Sequence, residues 1–560
     1  MNLLQSSPVS AKRDVISPSQ IKQDSKAFQD TIHDLIFMHP LLVKMIDSPE
    51  FQRLRYIRML GFGYVVFPSA NHSRFEHCIG VSHLAETFLR GIQHRQPELG
   101  ITDVDILCVA MAGLCHDLGH GPMSHTFEKF MHEARKDEEE WHHEEMSVKI
   151  FRRLMEKNNL GAACEFYGLS EIDLCFVEEL IHGVPAVGRP ANKAFLFEVV
   201  ANKRNGIDVD RWDYMCRDAY HTNVSIAFNR SRITDAARVM TVKGQAQICY
   251  RQTMKLDLWE MFDTRRLMHR KIYQHPVASL LDRMLVDALL TADPHLRFYG
   301  PDGTSFLLSE AVKNVEHFLV LTDDYVLHSI MHSYQLKELK SARHLLQRIQ
   351  KRQLYRFVAR TRPVTHLKLT SLQDLAQIRG VLAASATREV GRDVKVDDVV
   401  LIRSSFDFGC GTSNPFDHVN FFDNDDLSSA HLVELKSMSL CMPEAFFEES
   451  LALYYKEAED AAVVDAVHYA FTQWCQSHSL PTFEQTAPRL AEEGGQRKVW
   501  VSDQRNETLR LSLDGVAAEL DSIYEGREVM DGRMRSTKAV LQHLDQWETA
   551  RSTQRNSSSQ

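Results

Sequence analysis

Val104 to Cys115 is apolar around nearly its whole circumference, which predicts a helix buried on most of its surface. Longer helical patterns run over Leu256 to Leu290 and Phe446 to Cys475, with short β pieces between helices. Val239 to Val242 and Gln247 to Tyr250 flank Lys243-Gly244-Gln245, a hairpin signal, and Leu296 to Leu308 turns at Gly300-Pro301-Asp302-Gly303. Val399 to Phe408 and His418 to Phe422 are predicted as strands of a smaller C-terminal lobe. The fold class expected is therefore mainly α, a helical core with short β-hairpins and a smaller α+β C-terminal lobe. No internal repeat is found.

Composition sets outer limits. At 560 residues, 44% hydrophobic and 25% charged, the chain is large enough for more than one core lobe. A formal net charge of -10 argues against a general nucleic-acid-coating protein, while local basic patches could still bind single strands. Ten cysteines without a C-x-x-C pair point to a reducing compartment and away from a cysteine zinc site. No stretch reaches the ~18 continuous apolar residues of a membrane helix, and the polar N-terminus lacks a signal-peptide core. No membrane partner is expected, and a cytoplasmic location fits, with the nucleus also open.

The densest chemistry lies in His116-Asp117-Leu118-Gly119-His120-Gly121-Pro122-Met123-Ser124-His125-Thr126-Phe127-Glu128. Three imidazoles and two carboxylates in one short run exceed what folding requires. Gly119, Gly121 and Pro122 are expected to break the buried helix there, with glycine supplying a left-handed cap, so that several ligands converge. Adjacent His and Asp on a helix point about 100° apart, so both reach one ion only if it lies between them. Further candidates stand upstream in Arg74-Phe75-Glu76-His77, with His83 beyond, and downstream around Asp210, Tyr214 and Asp218, which recur every fourth residue on one helix face beside Arg211 and Arg217. Imidazole plus carboxylate suits Fe, Mn, Zn or Ni better than a thiolate-selected ion. Blander readings apply elsewhere. Arg53, Arg55 and Arg58 read as a solvated face, and His132, His142 and His143 lie in or beside the charged run Lys136-Asp137-Glu138-Glu139-Glu140.

Phe51 to Gly80, FQRLRYIRMLGFGYVVFPSANHSRFEHCIG, followed by AGLCHDLGHGPMSH and NKRNGIDVDRWDY, closely resembles the HD-domain phosphohydrolases. Within them it is most similar to the vertebrate SAM-and-HD-domain deoxynucleoside triphosphate triphosphohydrolases. The likeness runs from about Lys26 to about Gln476, with YQHPV near Tyr273 and NPFDHVNFF near Asn414 as landmarks. It starts near the beginning of the chain, so no SAM domain is expected ahead of it. Residues 1–25, rich in Ser, Gln and Lys, are expected as a flexible tail, followed by an HD lobe over 26–365, a regulatory and oligomerisation lobe over 366–530, and a second tail, low in apolar residues at its end, over 531–560.

The resemblance also implies roles. His77, His116, Asp117 and Asp210 would hold one tightly bound Fe, Zn or Mn, with Mg accompanying the substrate phosphates. His125 backed by Glu128 would do acid or base work near the leaving group, with His143 and His120 aiding phosphate charge. Glu128 stands where close relatives carry Asp and bacterial members often carry Glu. Arg74, Arg211, Tyr214, Asp218, Arg265, Tyr273 and Gln274 would contact triphosphate, sugar or base, and Leu60 would crowd a ribose 2′-hydroxyl. The implied reaction is attack at the α-phosphate of a deoxynucleoside triphosphate, releasing deoxynucleoside and inorganic triphosphate and so controlling dNTP pools.

A guanine nucleotide activator, GTP or dGTP, would sit on Lys26, Asp47, Gln52 and Arg55, and a second nucleotide on Val66, Phe67, Arg232 and Arg251, at junctions of a homo-oligomer that is a dimer or a nucleotide-induced tetramer. Departures are specific. Met59 replaces a sugar-reading Gln, Arg211 replaces Lys, Gln29, Thr253 and Pro276 replace Asn and Lys residues of the second activator site, and Asp423-Asn424-Asp425-Asp426 adds negative charge. Two other readings stay open: an HD phosphohydrolase acting on nucleoside monophosphates or cyclic nucleotides, and a weakly active nucleotide-sensing or single-strand nucleic-acid-binding protein.

Overall fold

Two helices, α1 (Arg74–Arg95) and α2 (Asp103–Cys115), pack against each other. In the computed structural model, the residues described are 24–483 except 137, 139, 368–371, 458 and 459, together with the backbone strands Ala491–Glu493, Gln496–Ser502 and Thr508–Ser512. The chain divides into two compact units, Met1–Thr482 and Phe483–Gln560. The second is described as three antiparallel strands, in the order in which they follow along the chain. Nearly all of the expected tail 1–25, the whole of 531–560, and most of 366–530 beyond 483 lie outside the described residues.

A capping box starts α2: Thr102 Oγ1 accepts from the Asp105 amide at 3.1 Å and Asp105 Oδ2 from the Thr102 amide at 2.9 Å. Every residue from Asp105 to Cys115 is buried, as the all-round apolar pattern requires. α1 approaches closely because Gly113 has no side chain; a Cβ there would lie 3.2 Å from Val81. Ser82 Oγ donates to the Ala110 carbonyl at 2.7 Å and pins the pair together.

α2 ends at His116, and the chain then turns through the His-rich run before α3 (His125–Ala134) and α4 (His143–Lys157). The glycines serve this turn differently from expectation. The left-handed positions are Met123 and Ser124, with φ of 61° and 53°, and neither Gly119 nor Gly121 has positive φ. Gly119 instead permits contact, since a Cβ there would meet the His143 carbonyl at 2.1 Å. Two bonds hold the strained turn: Met123 N–H to Asp323 Oδ1 at 2.7 Å, and Ser124 Oγ to the Arg58 carbonyl at 2.7 Å.

α5 (Val209–Thr222) packs on α1. The helical stretch after residue 255 is two helices, α6 (Lys255–Met268) and α7 (Pro276–Ala292), separated by a π-type turn His269–Tyr273. Pro276 starts α7 where a missing amide costs nothing.

β1 (Lys26–Asp30) and β2 (Asp34–Met38) form an antiparallel hairpin. β3 (Ala237–Val242) and β4 (Gln245–Arg251) form the expected second one, closed by Lys243 and Gly244 at φ of 50° and 80°, the conformation a two-residue turn needs. A three-stranded antiparallel sheet of β5 (Arg356–Arg360), β6 (Val399–Asp407) and β8 (Phe447–Tyr455), with β8 central, joins helices α8 (Leu372–Val390) and α9 (Ala461–Ser477) around a separate core that includes Leu382, Leu401, Leu451 and Phe471.

Three readings are corrected. Residues 447–455 form a strand rather than the start of a helix: as a central strand covered on both faces, β8 is continuously apolar toward its end and loses the alternation that would reveal it. β7 (Phe421–Phe422), expected in the C-terminal lobe, pairs in parallel with β4. Arg53 is buried, donating Nε to the Leu321 carbonyl at 2.9 Å, and Arg58 pairs with Asp323 and Asp324, so of the three arginines expected on a solvated face Arg55 alone is exposed. Among the described residues, no helix is long and apolar enough to cross a membrane.

Candidate active site

Ser73 and Glu76 cap the start of α1 and set Arg74 and His77 in its first turn. His77 Nδ1 donates to Asp213 Oδ2 at 2.8 Å, and His116 Nδ1 donates to the Gly113 carbonyl at 2.8 Å. Each bond fixes its ring so that Nε2 carries the lone pair. Both Nε2 atoms point at Asp210 Oδ1, at 3.1 Å and 3.4 Å, and Asp117 lies 3.6 Å and 3.4 Å from them. The four expected ligands, from α1, the α2 end and α5, are thus brought together.

Both Nε2 atoms are buried without a hydrogen-bond partner. The ligating atoms of His77, His116 and Asp210 lie within 4.8 Å of one another. Burial would lower the pKa of His77, but the carboxylates of Asp210 and Asp213 beside its ring outweigh it and raise it to about 10. His116 is raised against burial by Asp117 and Asp210. The surroundings demand positive charge between these rings, and two imidazoles with two carboxylates fit a divalent transition ion that would take the place of those protons.

Beside this cluster, Glu128 Oε2 accepts from His125 Nδ1 at 2.9 Å, and its Oε1 lies 2.7 Å from His143 Nδ1 as an ion pair. Burial opposes ionisation of Glu128, and its contacts with His125 and His143 hold its carboxyl well below the usual range. His143 is raised by Glu128 in spite of burial. His120 stacks on His143 with ring centroids 3.9 Å apart and places Nε2 3.3 Å from Asp117 Oδ1. Burial, with the charges of Arg74 and His143, keeps His120 well below the usual imidazole range. A buried neutral ring suits orienting Asp117 better than adding positive charge to a phosphate.

These groups open onto a cavity of about 570 Å³. Met59, Leu60, Arg74, Tyr214, Asp218, Arg265, Tyr273 and Gln274 line it, together with Asp117, His120, His125, His143 and Asp210. Arg74 reaches Asp117 Oδ2 at 2.5 Å and Ser124 Oγ at 3.0 Å. Arg265 Nη1 donates to the Tyr214 hydroxyl at 2.9 Å while its Nε is buried and unpartnered. Tyr273 donates to Asp218 Oδ2 at 2.7 Å, and Gln274 to the Ser405 carbonyl at 2.6 Å. The π-type turn, a frequent device at functional sites, presents Tyr273 and Gln274 here. Arg211 is the exception. It is absent from the lining, donating to the Gly206 carbonyl at 2.8 Å.

Of the other expected residues, Lys26 Nζ and Asp47 lie 3.6 Å apart and exposed, and Arg55 donates to Gln52 Oε1 at 2.8 Å. Val66 is half-buried, Phe67 lines the cavity, Arg232 pairs with Asp257 at 3.2 Å, and Arg251 is exposed at the end of β4. His83 takes no part in the metal cluster; its ring faces His33 at 5.6 Å.

Sequence reasoning missed three groups. Asp213 is the acceptor that orients His77; a metal-bound imidazole ordinarily requires such a partner, but several acids nearby could have filled the role. His72 holds Asp218 Oδ1 at 2.6 Å from a loop with no distinguishing pattern. His269 lines the cavity and is held neutral, its pKa lowered to about 3 by burial and the charges of Arg265 and Arg211.

Residues 74–218 match the family model described as HD domain. The chain is 40% identical over 468 residues to Deoxynucleoside triphosphate triphosphohydrolase SAMHD1 of Bos taurus, covering 81% of this chain and 79% of that protein. Against the protein of the same name from Homo sapiens it is 40% identical over 475 residues, covering 82% and 75%. The Dictyostelium discoideum homolog is 31% identical over 459 residues, 82% of each chain.

Proposed function

This chain belongs to the HD-domain deoxynucleoside triphosphate triphosphohydrolases, and on that premise we propose that it converts deoxynucleoside triphosphates to deoxynucleoside and inorganic triphosphate by water attack at the α-phosphorus. The observation that carries the reading is the pair of buried, unpartnered Nε2 atoms of His77 and His116 facing Asp117 and Asp210 at the wall of the cavity. These four residues would hold one Fe, Zn or Mn, with Mg on the substrate phosphates. A bound divalent ion supplies a water whose pKa falls to ~7 and a Lewis acid for a phosphoryl oxygen.

The chain's own residues do the rest. Arg265, with an unsatisfied buried Nε, is placed to take a polyphosphate oxygen. His125 Nδ1 is bound to Glu128, which leaves Nε2 free to deliver a proton to the departing 5′-oxygen as the bond between it and the α-phosphorus breaks. His143 shares Glu128 and keeps the carboxylate ionised. Asp218, held by His72 and Tyr273, offers its remaining lone pairs to a sugar hydroxyl, and Leu60 closes the wall nearby.

Guanine-nucleotide activation, by GTP or dGTP, is supported by Lys26, Asp47, Gln52 and Arg55 lying as two paired sets near the start of the fold. A second activator would take Val66, Phe67, Arg232 and Arg251, of which Arg251 stands exposed at the end of β4. Nucleotide-driven assembly of a homo-oligomer and control of dNTP pools in the cytoplasm or nucleus follow from the same reading.

The test is chromatographic identification of products from each dNTP and ribonucleotide with and without GTP. Deoxynucleoside with inorganic triphosphate, increased by GTP, is the expected result. Orthophosphate or a ring-opened monophosphate would place the enzyme in another branch of the HD phosphohydrolases.

A further inference from the structure

His33 sits in the turn of the β1–β2 hairpin, 180 residues from Asp213, yet its Nε2 reaches Asp213 Oδ1 at 2.5 Å with both side chains essentially sealed from solvent. Arg230 Nη1 donates to His33 Nδ1 at 2.9 Å. A guanidinium cannot accept, so Nδ1 is the acceptor and Nε2 carries the hydrogen given to Asp213. The same turn makes a second connection. Asp30 Oδ1 accepts from the amides of Ile32 and His33 at 2.8 Å and 3.0 Å, and the Asp30 carboxylate takes Arg217 at 2.9 Å. Arg217 in turn donates Nε and Nη2 to Asp213 at 2.8 Å and 2.9 Å.

Asp213 therefore receives His77, His33 and the Nε and Nη2 edge of Arg217, while a Cβ on Gly80 would lie 2.0 Å from its Oδ1. The carboxylate has no room to swing. A buried carboxylate deprived of one donor must either re-aim toward the others or stay undersatisfied; here re-aiming would tilt the ring of His77. The hairpin has its own reason to depend on this contact. A two-stranded hairpin is marginal in isolation, and although Ile36 and Met38 are buried, Leu35 and Phe37 on the same strand are about half exposed.

We propose that His33 is a positioning residue of the metal centre: through Asp213 it fixes the orientation and tautomer of His77, so that docking of the N-terminal hairpin and binding of the cation strengthen each other. The inference rests on the reading of His77, His116, Asp117 and Asp210 as the cation site. Linkage makes the effect reciprocal. A bound ion holds His77 in place, His77 holds Asp213, and Asp213 holds the hairpin tip.

The experiment is calorimetric titration of Mn²⁺ into chelator-stripped full-length wild type, His33→Ala and His33→Gln, with amide hydrogen exchange of residues 27–38 followed with and without the ion. His33→Ala is expected to weaken binding by about 10- to 100-fold, the range for outer partners of metal ligands. His33→Gln, which keeps an N–H donor, recovers part of the loss. Hairpin amides of the wild type exchange more slowly when Mn²⁺ is bound. Wild-type affinity in folded His33→Ala, or hairpin exchange indifferent to the ion, overturns the proposal. If His33→Ala does not fold, the exchange measurement on the wild type decides alone. A wild type that binds no cation defeats the metal site itself, an outcome distinct from a hairpin uncoupled from a working site.

Discussion

The hydroxyl of Tyr273 donates to Asp218 Oδ2 at 2.7 Å across the wall of the cavity, joining the π-type turn after α6 to the last turns of α5. His72 occupies the other carboxylate oxygen. Tyr273→Phe removes one of two donors to a buried carboxylate, a bond of about 1.5–3 kcal/mol. The expected result is a fall in kcat/KM for dNTPs of about 10-fold or more, carried mainly by KM, in steady-state assays of triphosphate release. Unchanged KM would show that Asp218 needs no fixed orientation.

Glu128 touches both His125 and His143, the histidines proposed to handle protons. Glu128→Gln keeps the shape of the side chain but removes the charge that binds His125 and His143. General acid or base catalysis contributes about 10²- to 10⁴-fold, so kcat is expected to fall within that range while metal content, measured by mass spectrometry, stays at the wild-type level. A variant retaining full kcat would remove His125 and Glu128 from the reaction.

Met59 lines the cavity as a nearly buried thioether, and its amide donates to the His72 carbonyl at 3.0 Å. A thioether cannot donate to a sugar oxygen. Met59→Gln is expected to raise kcat/KM for dNTPs by about 10-fold, the worth of one hydrogen bond near 1.4 kcal/mol. No change in product assays would mean that the sugar is read elsewhere.

Asp287 on α7 binds the Tyr355 hydroxyl at 2.8 Å, Arg283 at 2.6 Å and Lys456 at 3.1 Å. Burial opposes its ionisation, and Arg283 and Lys456 outweigh burial and hold its pKa below the ordinary value. The unfolded chain then binds more protons than the folded one between the depressed and ordinary values. Stability from this group is complete above the ordinary carboxylate range and is lost as pH falls through the depressed value. Asp287→Asn is expected to lose about 3 kcal/mol near neutrality and to show a shallower acid limb in denaturant titrations between pH 6 and 3, approximately the carboxylate range. Equal acid limbs would contradict the assignment.

What could be read in advance follows the range of the physics involved. The run from His116 to Glu128 announces itself because ligand-type residues are crowded along one short segment, and the Lys243-Gly244 turn because two left-handed residues are a local demand. Asp213, His72 and His33 could not be read, since the contacts of Asp213 with His77, His72 with Asp218 and His33 with Asp213 cross 136 to 180 residues of chain. The strand Phe447–Tyr455 escaped for a related reason: its central place between two partners erases its own periodicity. Arg53 was misjudged because its acceptors are backbone carbonyls, which sequence does not mark.

The most direct measurement is inorganic triphosphate release as Mn²⁺ is titrated into chelator-stripped wild type and His116→Ala. Activity of the wild type is expected to rise from near zero and saturate as one ion binds per chain, while His116→Ala stays inactive at every concentration. Full turnover by the stripped wild type, or metal-dependent activity in His116→Ala equal to the wild type, would contradict a reaction built on the His77, His116, Asp117 and Asp210 centre.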